Sequence, residues 1–204
     1  KSTFIKRFME LLVLPAMEDD NLRNLSRDEL PQSAAGKTIM TTEPKFVPKE
    51  AVEIRVADGI PVRIRLIDCV GYMVEGAAGH LENDNERMVK TPWYDSEIPF
   101  TKAAELGTHK VIHDHSTIGI VVTCDGSFGE IPAENYRQPE ERTVEELKKI
   151  GKPFVVLLNT TKPYSDPVRK QAKELYHKYN VPVIPVNCEQ LKKEDITMIL
   201  EQVL

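Results

Sequence analysis

The sequence predicts an α/β fold with helices on both faces of a mostly parallel sheet, and three observations predict it. Continuous apolar runs at Ile118–Thr123 and Phe154–Asn159 alternate with amphipathic stretches of helical length, as buried parallel strands covered by helices do. Val52–Val56 and Val62–Asp68 each alternate apolar with polar residues about an Asp58-Gly59 turn, which reads as one antiparallel hairpin at the sheet's edge. The chain has 204 residues, 41% of them hydrophobic, enough for a single core.

From the amino end, Phe4 to Val13 places apolar residues at helical spacing. Glu18 to Leu30 is polar with Leu22, Leu25 and Leu30 recurring, a short surface helix that ends before Pro31. Gln32 to Lys49 holds Gly36, Thr38, Thr41, Thr42, Pro44 and Pro48 and reads as an ordered loop. After the hairpin, Cys69 to Phe100 is a long connection with three glycines, two prolines and the pair Trp93-Tyr94, which is either an exposed contact patch or buried. From Thr101 a helix leads to strand Ile118–Thr123, then helix Pro139–Ile150, strand Phe154–Asn159, helix Pro167–Tyr179, strand Val181–Val186 and a last helix Lys192–Leu204.

Composition excludes several classes. A net charge of −5 argues against a polyanion-binding surface, so no nucleic-acid partner is expected. The apolar runs are too short to cross a bilayer as helices, and no signal-peptide flanks are present. Cys69, Cys124 and Cys188 are too scattered for a disulfide framework or a zinc knuckle, and they read as packed thiols in a reducing cytoplasm. His113-Asp114-His115 has no third metal ligand close in sequence and reads as a helix-end hydrogen-bonding group. Glu140, Glu141, Arg142, Glu145, Glu146, Lys148 and Lys149 run from acidic to basic along one helix, a solvated face that complements the macrodipole.

The chemistry lies in an ordered set of short motifs. Lys1-Ser2-Thr3, alone an ordinary helix N-terminus, matches the end of a Gly-x-x-x-x-Gly-Lys-Ser/Thr phosphate loop, in which the lysine reaches the β- and γ-phosphates and the hydroxyl ligates magnesium. Thr41 and Thr42 then stand where a switch threonine would hold magnesium and sense the γ-phosphate. Asp68 closes an apolar strand with Gly71 three residues on, an Asp-x-x-Gly placed to support the magnesium shell. Asn159-Thr160-Thr161-Lys162 ends the next-but-one strand, where guanine readers carry Asn-Lys-x-Asp. Lysine is donor-only and cannot accept guanine's N–H bonds, so adenine or unselective binding is expected unless the register slips to Asp166. Asp125-Gly126-Ser127 lies at the carboxyl edge of the sheet as either a turn or a ligand contact. These motifs in this order predict a P-loop nucleotide hydrolase, and the chain is expected to lack the domain's first strand and glycine-rich loop.

Longer stretches sharpen this. Lys1 to Glu10, Glu29 to Pro48, Thr91-Pro92-Trp93-Tyr94, His115 to Gly119 and Asp125-Gly126-Ser127 resemble the N-terminal ATPase domain of the stage IV sporulation protein A family, spore-coat morphogenetic ATPases, almost end to end. The resemblance implies a three-layer fold of the translation-factor-related GTPase class that has turned to ATP and magnesium. It implies ATP hydrolysis coupled to self-assembly of a scaffold, the basement layer of the spore coat, on the mother-cell cytoplasmic side of the forespore surface. By the same resemblance Lys1, Thr41, Thr42 and Asp68 are catalytic. Lys1, Ser2, Thr3, Gly71, Asn159 and Thr160 contact nucleotide, and Ser2, Thr42 and Asp68 hold magnesium. Implied partners are further copies of the chain and other coat proteins. The family is longer than this chain, and its link to a membrane-anchoring peptide is not expected through this domain. Two other classes stay open: a GTPase-like switch that binds partners without polymerising, and a scaffold with a vestigial pocket.

Overall fold

A computed structural model describes residues 1–31, 43–56, 59–83 and 85–204. Thr41, Thr42 and Asp58 lie outside the described residues. Helix α1 (Ser2–Phe8) runs into a π-helical turn, Met9–Val13, and a short α2 (Leu14–Ala16), followed by α3 (Asp20–Asp28). The wider turn ends two residues before Pro15, where the helix loses a backbone donor. Asp19 caps α3, its carboxylate accepting from the N–H groups of Asn21 and Leu22.

Strands β1 (Lys45–Arg55) and β2 (Pro61–Asp68) form the expected antiparallel hairpin, with a register shift between Val47 and Val52 that contains Pro48. Two expectations change here. Strand β1 begins at Lys45, inside the stretch expected to be irregular. The hairpin is also a two-stranded sheet of its own among the described residues, not an edge bonded to the parallel sheet. The long segment after Cys69 is likewise partly regular: β3 (Leu81–Glu82) pairs with β4 (Asn85–Glu86), and β5 (Met88–Thr91) pairs with β6 (Tyr94–Pro99) around the turn at Pro92-Trp93. Trp93 is half-buried under the ammonium of Lys110, while Tyr94 is exposed.

Helix α4 (Phe100–Lys110) continues through a second π-helical turn, Val111–His115, to β7 (Gly119–Cys124). A 3-10 turn at Ala133–Tyr136 enters α5 (Arg137–Ile150), and β8 (Phe154–Asn159), α6 (Asp166–Tyr179), β9 (Val183–Val186) and α7 (Lys193–Glu201) complete the chain. Strands β7, β8 and β9 are parallel, in that order, joined by helical crossovers.

The alternation along β8 divides the core. Val155 and Leu157 face a cluster formed with Phe8, Met9, Val13, Ile196 and Ile199. Phe154 and Val156 face Val144, Leu147, Ile112 and Tyr179, and Leu158 faces Val168 and Ala172. One face of the sheet is therefore covered by α1 and α7, the other by α5 and α6. Gly119 lets β7 approach closely at its start, since a Cβ there would sit 3.0 Å from the Cβ of Phe154 and 3.1 Å from Leu147. Among the described residues no helix is long and apolar enough to cross a membrane.

Leu157 is fully buried at the centre of the sheet. Leu157→Ala should lower unfolding free energy by roughly 2–5 kcal/mol through lost burial and a residual cavity, measurable by urea denaturation.

Candidate functional site

The carboxyl ends of the strands and the amino end of α1 meet in one place. Asp68 is the last residue of β2 and pairs in register with Lys45, the first of β1. Its carboxylate receives the ammonium of Lys1 through Oδ1, and Ser2 Oγ donates to its Oδ2 at 3.3 Å. Asp68 is 12% exposed and Lys1 38%, so the carboxylate is shielded while the ammonium still reaches solvent. The predicted site residues 67 positions apart in sequence are thus in direct contact.

Gly71 has φ +88°, a conformation that favours glycine, and its N–H donates to Thr108 Oγ1 at 3.1 Å. Thr108 is itself buried and donates to the carbonyl of Ala104 at 2.8 Å, so α4 anchors the segment after Asp68. Nothing in the spacing of α4 marks Thr108 as that anchor. Tyr72, next along, is 7% exposed and its hydroxyl donates to Glu146 Oε1. Burial first, and then the hydrogen bond and charge of Glu146, push its phenol well above the ordinary tyrosine range. Tyr72 is a donor to Glu146, not a base for water.

Asn159 ends β8 in register with Cys124 and Val186. Its Oδ1 accepts from the N–H of Cys188 at 3.0 Å, tying the end of β8 to the loop after β9. Thr160 is fully buried; its N–H donates to the carbonyl of Val186 at 2.9 Å and its hydroxyl accepts from the N–H of Lys162 at 3.2 Å. Asp125-Gly126-Ser127 is a turn that braces this loop. Asp125 Oδ1 accepts from the N–H of Ser127 at 2.9 Å, and Ser127 Oγ accepts from the N–H of Thr161 at 2.9 Å. Gly126 is needed there, since φ is +82° and a Cβ would lie 2.9 Å from the backbone nitrogen of Ala133.

A cavity of about 1230 Å³ opens between β2 and β7, with Lys1, Thr3, Gly71 and Asn159 in its wall. It brings the amino end of α1, the segment after Asp68 and the end of β8 to one space, at the strand ends where ligands bind in α/β sheets. The donors converging at Asp68 are hard: a carboxylate and a hydroxyl oxygen, a set that suits magnesium.

The family described as stage IV sporulation protein A, ATPase domain, matches residues 1–204. The chain belongs to that family. It is 53% identical over 204 residues to stage IV sporulation protein A of Bacillus anthracis, 51% to that of Bacillus subtilis strain 168 and 52% to that of Clostridioides difficile strain 630. Each match covers 100% of this chain and 42% of the relative's length. No solved structure matches the chain. The names of family and relatives place the chain among sporulation proteins with an ATPase domain.

Of the thiols near this cavity, Cys124 and Cys188 are buried and Cys69 is half-buried. Burial pushes Cys188 up to about 11 and also raises Cys69, the latter partly offset by Lys1. With a pKa of about 11 in place of 9.0, Cys188 holds on the order of 100-fold less thiolate at pH 8 than a free thiol. Iodoacetamide labelling of native protein followed by mass spectrometry should therefore find Cys188 modified far more slowly than after unfolding in urea.

Proposed function

We propose that this domain hydrolyses ATP and that hydrolysis drives self-assembly of the longer protein into a scaffold, the basement layer of the bacterial spore coat, on the mother-cell side of the forespore surface. The observation that carries the reading is the contact of Lys1 and Ser2, at the amino end of α1, with Asp68 at the end of β2. A helix amino end with a lysine and a hydroxyl beside a carboxylate is an arrangement suited to a polyphosphate and its cation. Lys1 holds the β- and γ-phosphates, exchanging Asp68 for the more highly charged ligand. Ser2 and Asp68 hold magnesium, which when bound neutralises charge on the phosphates. Thr41 and Thr42 carry the sensing role, and Thr3 and Gly71 border the phosphates.

The loop after β8 supports adenine or unselective binding over guanine. Thr160 is buried and back-bonded, and the fourth position of the motif is Lys162, which can only donate. Asn159 is committed through Oδ1 to Cys188, which leaves its amide nitrogen as the group for a base. The fold is read as the translation-factor-related P-loop class. The partners are other copies of the chain and other coat proteins.

Since Tyr72 is a donor already engaged by Glu146, the group that orients the attacking water is read as coming from a neighbouring copy. Specific activity of the full-length protein should then rise with protein concentration, in a phosphate-release assay across a hundredfold dilution series. A constant specific activity would point to a group within the chain.

Lys1→Ala in the full-length protein should reduce ATP hydrolysis by about 100-fold or more, as expected when a cation that stabilises the transferring phosphoryl is removed. Activity equal to the unsubstituted protein would overturn the reading. Efficient displacement of bound ATP by GTP would favour a GTPase-like switch.

A further inference from the structure

Helix α5 was expected to be a solvated charged face, yet four of its charged residues are engaged by other elements. Glu140 is 8% exposed and accepts from Tyr179 at 2.6 Å, Glu141 pairs with Lys178, and Arg142 pairs with Glu105 at 2.6 Å while lying 3.8 Å over the ring of Tyr72. The fourth, Glu146, has a different environment. Its Oε1 accepts from Tyr72, and its Oε2 is buried and accepts no hydrogen bond. Facing that oxygen are two imidazoles from the end of α4 and the π-helical turn, His109 Nδ1 at 3.7 Å and His113 Nε2 at 3.9 Å. Both distances exceed a hydrogen bond. The two rings lie one above the other, centroids 4.0 Å apart at 31°. His113 therefore has the ligand partners that its own neighbours Asp114 and His115 do not supply: one comes from a helical turn earlier and one from α5.

We propose that His109, His113 and Glu146 form a binding site for a divalent transition cation of the zinc class, separate from the nucleotide site. The donor set is two imidazoles and one carboxylate, the set used by three-ligand zinc sites that keep an open position for water. Two histidines four residues apart put both rings on one helix face, and a carboxylate from a second helix supplies the third corner. The three ligand atoms lie within 4.8 Å of one another. Bonds of 2.0–2.1 Å in tetrahedral geometry need separations of about 3.4 Å, so the two rings and the carboxylate turn to close on the ion.

Protonating both imidazoles would set two positive charges face to face, and leaving both neutral gives Glu146 Oε2 at most poorly aimed donors. A metal accepts a lone pair from each of the three. The second sphere is in place as well, since Tyr72 fixes Glu146 through its other oxygen and Arg142 approaches that oxygen at 3.9 Å while held by Glu105. One consequence is mechanical. A cation bound here clips α4 to α5 and, through Glu146, secures Tyr72 in the segment that follows Asp68.

The test uses the full-length protein stripped with chelator and dialysed. Zinc is titrated in competition with a chromogenic chelator, and cobalt(II) is added separately to read tetrahedral d–d absorption. The expected result is a zinc equivalent and a cobalt spectrum that are lost in His109→Ala and in His113→Ala, weakened at least tenfold in Glu146→Gln, and retained in Asp68→Ala. The last variant separates this site from the nucleotide site, so failure of either reading shows independently. Zinc should raise the melting temperature of the unsubstituted protein and leave that of His109→Ala unchanged, with far-ultraviolet circular dichroism of the metal-free forms superimposable. Should His109→Ala not fold, His113→Gln carries the same measurements. Zinc stoichiometry and affinity unchanged in the folded histidine variants would overturn the proposal, as would the absence of a cobalt spectrum in the unsubstituted protein.

Discussion

Strand β8 has no solvent face, and its burial fixes the level at which everything else in the domain ends. Phe154 to Leu158 are each less than a tenth exposed, with alternate side chains committed to opposite layers. A strand held on both faces cannot slip by one residue without exchanging its two layers of apolar contacts. That constraint passes to its neighbours through the parallel register, which brings Cys124, Asn159 and Val186 to a common edge. The same layer that receives Val155 and Leu157 is built from α1, so packing beneath the sheet sets the height of Lys1 and Ser2 above it.

Parts of this were legible in the chain because they depend on local periodicity. The continuous run Phe154–Asn159 and the alternation of Val62–Asp68 mark their strands, and Asp68 with Gly71 marks the turn that leaves one of them. Contact between Lys1 and Asp68 was legible only through the order of motifs, which encodes a topology. Other features depend on residues distant in sequence that carry no pattern. Thr108 under Gly71 is one threonine in an ordinary helix. The charges of α5 repeat as an exposed face would, but their partners come from Glu105, Tyr72 and Lys178. The third corner of the histidine pair is likewise 33 residues or more from either ring, beyond any local spacing rule. Lys45 to Lys49 was masked by Pro44 and Pro48, because a proline is tolerated in a strand at a bulge.

Helix α5 thereby meets two different parts of the domain. Through Glu146 and Tyr72 it reaches the segment after Asp68, and through the same carboxylate it faces the imidazoles of His109 and His113. Glu146 faces both neighbours by virtue of its two oxygens.

The two π-helical turns, Met9–Val13 and Val111–His115, each close a helix that borders the cavity. Such a turn carries one residue more than the α-helical turn it replaces. Losing one residue there could be absorbed by tightening the turn, leaving the side chains on either side in their original directions. The same deletion a few residues away would rotate every following side chain by about 100° around the helix axis. A one-residue deletion thus has two places in this domain where the flanking side chains keep their directions.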